Sequence, residues 1–242
     1  MKKLKKLSSI GIALTIMVSS FSFVKAQNVQ YFKKLTDYQN LFDPVSDEIA
    51  KTIPNYKATY DGRNVVMIEY LTKELTLQND QNGISTVKFK YNEQGKVVEE
   101  ALYNKDDSLV NNPTTKSKSA INRYKYDDNG YRIEEAYYYK DNKLTTNGMA
   151  IYRKKFENGR KIEQATYDNN NNLKENFEGY AIVRDKFDEK GRLLEESYYN
   201  KNDQPTEQRG YSKVVYLYDD NAKTKTITYY KKDGSILKTE QN

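Results

Sequence analysis

Three pairs of adjacent glutamates are the first residues in this chain that suggest chemistry. They recur at the same place in a repeated phrase: Glu99-Glu100, Glu134-Glu135 and Glu195-Glu196. A carboxylic acid and a carboxylate that flank a substrate can cleave a glycosidic bond. Adjacent residues on a β-strand point to opposite faces, however, so the two members of a pair cannot flank one substrate. The pattern therefore favours a structural role for these glutamates over catalysis.

Two polar turns have the residue types of calcium loops but not the ligand spacing. If Gly130 is taken as the loop glycine of an EF-hand, the first ligand position is Lys125 and the twelfth is Ala136. Neither satisfies the EF-hand requirement, and the turn at residues 79–83 fails at its own twelfth position. The chain also has no cysteine and no histidine, which excludes disulfides, thiol catalysis and the commonest metal ligand. We predict no enzymatic activity, no bound metal and no cofactor.

Tyrosine is the third candidate, because the chain contains 23 tyrosines and no tryptophan. One tyrosine ends each copy of the repeated phrase, and these five form the candidate binding surface: Tyr103, Tyr138, Tyr167, Tyr199 and Tyr230. A sugar ring can pack its apolar face on an exposed aromatic ring. Alternatively, such rings pair across strands and stabilise a thin sheet by roughly 0.2–1 kcal/mol per pair. Both interpretations stay open, and the scaffold role is the favoured one.

The repeated phrase predicts β-hairpins. A lead aromatic precedes a turn of Asn, Asp and Gly residues, and a second aromatic follows 11 or 12 residues after the first. The lead aromatics are Tyr91, Tyr126, Phe156, Phe187 and Tyr218, at steps of 35, 30, 31 and 31 residues. A degenerate first copy starts at Tyr60, with Gly62 in its turn. Runs rich in Tyr, Val, Ile and Phe on both sides of such a turn are typical of hairpins. The predicted turns lie near residues 92–95, 127–130, 157–159, 188–191 and 219–222.

The alternation within the second strand indicates how the hairpins assemble. Val98 and Leu102 share one face, while Ala101 and Tyr103 share the other, and glutamates occupy both. Neither face is plainly apolar, so a two-sheet sandwich is unfavourable. We predict an all-β fold of tandem antiparallel β-hairpin repeats that form an extended twisted sheet or open solenoid, with sequential strands as neighbours. This repeat domain spans residues 58–242, with a period of about 31 residues.

Residues 27–57 do not follow the repeat. Four aromatic or aliphatic residues recur at helical spacing: Tyr31, Leu35, Tyr38 and Phe42. Pro44 then precedes a second short helical segment at residues 45–52. Because open repeat arrays need protected ends, we predict that this segment is a short helical N-terminal cap on the first repeat.

A register for the hairpins follows if each lead aromatic pairs with the residue just after its turn. Counting three residues along both strands then places a cation opposite a glutamate: Lys88 opposite Glu99, Arg123 opposite Glu134, Arg153 opposite Glu163, and Arg184 opposite Glu195. The last copy gives Val215 opposite Thr226. This register predicts an exposed ladder of ion pairs, each contributing at most ~1 kcal/mol.

The first 26 residues have the features of a secretory signal peptide. Lysines begin the chain, a mostly apolar run extends from Ile10 to Val24, and the segment closes at Ala26 with residues that a signal peptidase accepts. The run is shorter than the ~20 residues of a bilayer span, so cleavage is favoured over an uncleaved anchor. We predict export to the periplasm or outside the cell, with no stable membrane insertion once the leader is removed.

The net charge gives no indication of a nucleic-acid partner. The whole chain carries +6, and residues 1–26 contribute five lysines and no acidic residue, so residues 27–242 carry +1. A near-neutral chain with interspersed charges lacks the basic footprint that nucleic-acid binding requires.

Residues 58–242 resemble known bacterial repeats. The phrases Tyr126-Asp127 through Gly130, Phe187-Asp188 through Leu193 and Tyr91-Asn92 through Gly95 resemble the YD repeat of bacterial Rhs-type surface and toxin-shell proteins. The stretch with Tyr229, Tyr230, Asp233 and Gly234 is similar to MORN-variant repeats. The period here is longer than in the usual YD repeat. The resemblance implies a β-hairpin repeat scaffold and carries no particular activity with it.

The sequence thus predicts an exported, non-enzymatic repeat scaffold that mediates protein interaction at the cell envelope or outside the cell. The alternative is a carbohydrate-binding envelope module that uses the exposed tyrosines, so a glycan is the second expected partner. An unrecognised envelope hydrolase is the third hypothesis.

Overall fold

The computed structural model describes residues 28–36, 38, 40–146 and 149–241, so the predicted leader lies outside the described residues. Fifteen strands and one short helix follow in chain order: β1 (Asn28–Thr36), β2 (Asn40–Val45), α1 (Asp47–Ala50), β3 (Asn55–Asp61), β4 (Asn64–Leu71), β5 (Thr86–Tyr91), β6 (Val97–Tyr103), β7 (Ile121–Tyr126), β8 (Arg132–Tyr138), β9 (Ile151–Glu157), β10 (Arg160–Tyr167), β11 (Ile182–Phe187), β12 (Leu193–Tyr199), β13 (Lys213–Asp219), β14 (Thr224–Tyr230) and β15 (Ile236–Gln241). In this part of the chain no helix is long and apolar enough to cross a membrane.

The strands form one open antiparallel sheet, as the repeats predict. From β3 to β15 each strand pairs with its neighbours in sequence, and β1 and β2 extend the sheet beyond β3. Every predicted turn connects the two strands of one hairpin. In the second predicted turn, Asp127 Oδ1 accepts hydrogen bonds from the backbone N–H groups of Asn129 at 3.1 Å and Tyr131 at 2.8 Å. The acidic residue of this calcium-like turn therefore closes the hairpin itself.

The N-terminal segment is a hairpin, so the prediction of a helix over Tyr31–Phe42 is wrong. Tyr31 and Leu35 lie in β1 and Phe42 lies in β2. The steps of four residues from Tyr31 to Leu35 and from Tyr38 to Phe42 place side chains on one face of a strand as well as of a helix, and the step of three between them falls at the turn between β1 and β2. The edge of β3 decided between them, because β1 satisfies its unpaired backbone groups with pairs such as Phe32–Tyr56. The second segment does contain a helix, α1, which Ser46 caps.

The predicted register is wrong by two residues. The partners of the glutamates within each hairpin are lysines: Lys90 for Glu99, Lys125 for Glu134, Lys155 for Glu163, and Lys186 for Glu195. Each of these hairpins contains a β-bulge, which adds one unpaired residue, and the pair of the lead aromatic is itself offset by one more residue: Tyr91, for example, pairs with Val97 instead of Lys96. Because a shift of two residues keeps every side chain on its predicted face, the glutamates still lie beside cations.

The apolar core is divided into small clusters that follow the repeat. One cluster joins Ala101, Ala120 and Ile121, and the next two join Ala136, Ala150, Ile151 and Ala165, Ala181, Ile182. A larger cluster at the N-terminal end contains Ile68, Ile84, Val87 and Leu102. Each cluster spans consecutive repeats, so the stability of one repeat depends on its neighbours.

Candidate functional site

One face of the sheet, which we call the ladder face, carries Glu99, Glu134, Glu163 and Glu195. On this face Glu134 Oε1 lies 2.7 Å from Lys125 Nζ, and its Oε2 accepts a hydrogen bond from Arg153 Nε at 2.8 Å. The lysine belongs to the same hairpin as the glutamate, whereas the arginine belongs to the next one. The glutamate thus links two consecutive repeats.

The same three-residue arrangement occurs in two more repeats. Glu99 contacts Lys90 at 2.7 Å and Arg123 at 2.8 Å, and Glu163 contacts Lys155 and Arg184 at 2.7 Å each. At Glu195 the lysine partner is Lys186, but the residue opposite it on β13 is Val215. The expected ion-pair ladder therefore exists, with the arginines paired to the preceding hairpin instead of their own.

These contacts keep the ladder glutamates ionised. Partial burial by itself raises the pKa of Glu134, but the hydrogen bonds from Lys125 and Arg153 outweigh burial and lower the pKa below its usual range. The pKa values of Glu99 and Glu163 are lowered for the same reasons. A carboxylate held in this way is a hydrogen-bond acceptor and a poor general acid.

The structure brings the five predicted tyrosines together in one column on the ladder face. A cation lies over each ring, at the following distances from the ring centroid: Lys88 over Tyr103, 4.2 Å; Arg123 over Tyr138, 4.5 Å; Arg153 over Tyr167, 4.5 Å; Arg184 over Tyr199, 4.6 Å; Lys213 over Tyr230, 4.8 Å. Each ring is half-buried. Tyr138 packs against two successive apolar clusters, and so does Tyr167. These tyrosines therefore pack between consecutive repeats, and one surface of each ring is covered by a cation.

The second glutamate of each pair lies on the reverse face, which carries Glu100, Glu135 and Glu196. Glu135 accepts hydrogen bonds from Lys154 Nζ at 2.6 Å and Tyr137 Oη at 3.0 Å. Tyr124 Oη donates to Glu100 at 3.2 Å, and burial raises the pKa of Tyr124 strongly. The prediction that the members of a glutamate pair point to opposite faces is confirmed, so no pair converges on one substrate.

A second row of aromatic rings lies on the reverse face, and the sequence interpretation missed it. Tyr198 contacts Tyr180 and Tyr211, with ring centroids 5.1 and 5.9 Å apart, and Tyr211 lies 5.2 Å from Tyr229. The Gly-Tyr dipeptides at 179–180 and 210–211 could have indicated this row, because they recur where the chain returns into the next hairpin.

A cleft of about 470 Å³ lies where the N-terminal hairpin meets the first repeat, and nothing in the sequence interpretation anticipated it. Tyr56 and Tyr70 stack along one side with their ring centroids 5.1 Å apart. Tyr38, which lies between β1 and β2, lines the cleft and donates a hydrogen bond from its hydroxyl to Asp80 Oδ2 at 2.7 Å. Burial, followed by this hydrogen bond, raises the pKa of Tyr38 to about 12.

No group of three or more His, Cys, Asp or Glu side chains within the described residues is arranged to hold a metal ion. The two turns with calcium-like composition instead use Asp127 and Asp80 as acceptors for backbone N–H groups.

Comparison with known proteins adds little to this geometry. No protein-family model and no curated protein matches the chain. Among solved structures, the chain is similar to one described as the crystal structure of TcdB2-TccC3-TEV, with 13% sequence identity and a TM-score of 0.47 over 88% of this chain. The matched region is 10% of that chain, so the present protein spans about a tenth of its length. The fifteen-stranded sheet and its internal repeats by themselves show that the chain is a β-hairpin repeat protein.

Proposed function

We propose that this protein is an exported, non-enzymatic repeat scaffold that binds a partner protein at the cell envelope or outside the cell, through its ladder face. The observation that carries the proposal is the column of arginine–tyrosine stacks on that face. Arginine and tyrosine are enriched among the residues that dominate protein–protein binding energies. Export rests on the leader-like features of residues 1–26.

The arginines of the column are held in place but remain accessible. The side chains of Arg123, Arg153 and Arg184 are 38%, 37% and 35% exposed. Each is fixed between a glutamate of the preceding repeat and a tyrosine of its own repeat, so binding restricts little additional side-chain freedom. The stacks repeat every second strand, which corresponds to about 9.6 Å along the sheet.

The ladder face also suggests the charge of the partner. Its outer column of lysines, Lys90, Lys125, Lys155 and Lys186, is between 68% and 72% exposed. In two repeats one lysine and one arginine surround a single glutamate, which leaves an excess of positive charge, and in the third Asp203 also binds Arg184. Electrostatic complementarity therefore favours a partner with an acidic surface.

The carbohydrate alternative at this column has weaker support, because a cation lies over each tyrosine ring and each ring is half-buried. A hydrolase would need a carboxyl group that exchanges protons near neutral pH. The ladder glutamates are held as carboxylates by two cations each in three repeats, which supports a non-enzymatic role.

Site-specific photo-crosslinking tests the proposal. A photoreactive amino acid is placed at Lys155 on the ladder face. The control position is Lys225 on β14, which lies on the reverse face because it is an odd number of residues from Tyr230. We expect a discrete, protease-sensitive adduct from envelope extract with the Lys155 probe, weakened by added salt, and none with the Lys225 probe. Adducts that form equally from both positions, or that glycosidases remove and proteases do not, would contradict the proposal.

A further inference from the structure

The cleft at the N-terminal end depends on the residue that precedes the return into each hairpin. This residue is Ile84 ahead of β5, Ser119 ahead of β7, Met149 ahead of β9, Tyr180 ahead of β11 and Tyr211 ahead of β13, and the residue after it donates an equivalent backbone hydrogen bond each time, as Ser85 does to Tyr103. In the last two of these repeats the tyrosine rings pack on Tyr198 and Tyr229. The shorter Ile84 leaves the neighbouring aromatic pair facing a cleft.

The cleft has an apolar and aromatic lining on one part of its surface and polar groups on another, which favours a ligand with one apolar side. The side chains of Ile68, Ile84 and Val87 are buried and provide an apolar lining. The stacked rings of Tyr56 and Tyr70 add aromatic surface. The turn at residues 79–82 contributes amide groups to the same cleft. A volume of about 470 Å³ falls within the ~300–1,000 Å³ range of small-molecule sites.

Asp80 is the one carboxylate among the described residues that line the cleft, and both of its oxygens already accept hydrogen bonds. Asp80 Oδ1 accepts hydrogen bonds from the backbone N–H groups of Asn82 and Ile84, at 2.8 and 2.9 Å. Its Oδ2 accepts a hydrogen bond from Tyr38 Oη at 2.7 Å, and Asn82 Nδ2 donates to the same hydroxyl at 2.8 Å. These contacts position the turn and leave little capacity for a cation. The cleft therefore suits a neutral ligand.

We propose that this cleft binds one neutral sugar unit of a saccharide. The apolar face of the sugar packs on the rings of Tyr56 and Tyr70, and its hydroxyls bond to the amides of Asn79 and Gln81. This site is separate from the ladder face, and the proposal does not depend on the protein-binding function inferred for that face.

Titration of the purified protein with three neutral oligosaccharides, chitotriose, maltotriose and cellotriose, tests the proposal. Because the chain has no tryptophan, its intrinsic fluorescence arises from its 23 tyrosines, three of which line the cleft, so each signal change is compared with that of the cleft variant Ile84→Tyr. We expect saturable binding of at least one sugar with a Kd of about 1 mM or tighter. Failure of all three sugars to saturate the signal in the millimolar range would overturn the proposal.

The variant Ile84→Tyr places in the first repeat the residue that two later repeats carry. It should fill the cleft and weaken sugar binding at least about tenfold. Because Ile84 is buried in the N-terminal apolar cluster, the unfolding temperature of the variant is measured as well, and binding is compared at a temperature where it is folded. Tyr211→Phe is the matched control and should bind as the wild type does. Undiminished sugar binding by Ile84→Tyr places the sugar elsewhere and overturns the proposal. A tyrosine- and proline-rich peptide is titrated as the alternative ligand, and binding of this peptide at the cleft without any sugar binding also overturns the proposal. Photo-crosslinking from Lys155 should be unchanged in Ile84→Tyr, so the two proposals fail separately.

Discussion

At the scale of single residues, Arg153 shows how one side chain joins two repeats. Its Nε donates to Glu134 of the preceding hairpin at 2.8 Å, and its guanidinium lies 4.5 Å from the ring centroid of Tyr167 in its own hairpin. The hydrogen bond that Arg153 donates to Glu134 raises the pKa of Arg153, which stays fully charged. Because guanidinium is planar, it makes both contacts at once, which a lysine at this position would not do equally well.

Substitution of Glu134 tests the ladder through its dependence on pH. The folded-state pKa of Glu134 is lowered, so its contribution is present above the ordinary value of 4.5 and is lost as pH falls through the folded-state value. We expect Glu134→Gln to lower the free energy of unfolding by up to ~1 kcal/mol at pH ~7, and by clearly less at an acidic pH below the folded-state pKa, where the wild type is protonated too. Urea denaturation at both pH values measures this. Glu195→Gln is the control and should lose less, because its neighbour on β13 is Val215. An equal loss at both pH values would count against an electrostatic role.

At the scale of the hairpin, neighbouring repeats contact each other at both ends of their strands. Near the hairpin turns, the hydroxyls of Tyr91, Tyr126 and Tyr218 donate to the carbonyl oxygens of Val65, Val97 and Leu193 in the preceding hairpin. At the other end of the strands, Asn79 Oδ1 accepts from the backbone N–H of Lys105 at 2.8 Å, and Asn111 Oδ1 does the same for Lys140. The hydroxyl contacts of Tyr91, Tyr126 and Tyr218 explain why tyrosine is the most frequent residue at the lead position of the repeat.

Gly191 is the turn residue for which a side chain has the largest expected effect. Its φ of +81° disfavours any residue with a Cβ, and a Cβ here would lie 1.9 Å from Arg160 Nη2. We expect Gly191→Ala to push the flexible end of Arg160 away from Phe187 and to lower the free energy of unfolding by the ~1 kcal/mol typical of the backbone strain plus the smaller cost of losing that contact.

Gly179→Ala is the matched control, because Gly179 has a similar φ of +86° but no heavy atom within 4 Å of the added Cβ. Chemical denaturation of the two variants measures the difference. If both lose the same stability, the contact between Gly191 and Arg160 is not significant.

At the scale of the whole molecule, stability is distributed along the sheet. Each apolar cluster and each linked glutamate involves consecutive repeats, and the strand order follows the sequence from β3 onward. Such an array behaves approximately as a sum of repeat stabilities and nearest-neighbour interfaces. A removed unit therefore leaves the remaining contacts intact, provided that the register is kept.

Deletion of residues 183–213 removes one 31-residue unit and joins Ile182 to Val214. Val214 occupies the same position as Val183, since these two residues pair with Tyr229 and Tyr198 respectively. We expect the shortened protein to keep its β-sheet circular-dichroism signal and cooperative unfolding. Deletion of residues 183–198 removes half a unit and should abolish the cooperative transition, because the remaining strand loses its partner. Equal damage from both deletions would indicate one globular core instead of an array.

The sequence by itself determined the all-β class, the hairpin turns and the sequential antiparallel order. Each of these depends on local features: turn residues, alternation along a strand and a period of about 31 residues. It also placed the paired glutamates on opposite faces and the five tyrosines on one face, since side-chain direction along a strand alternates regularly.

Only the tertiary structure decided which residues actually meet. The observed register differs from the predicted one by two residues, because each bulge adds one residue and the pair beside the turn is offset by one more. As a result, each arginine lies opposite the glutamate of the preceding hairpin instead of the glutamate of its own. The N-terminal segment became a hairpin because the edge of β3 offered backbone partners. The cleft likewise depends on Tyr38 and Asp80, which are 42 residues apart and come together when that hairpin extends the sheet. All three features arise from contacts between segments that are distant in sequence, which local patterns do not encode.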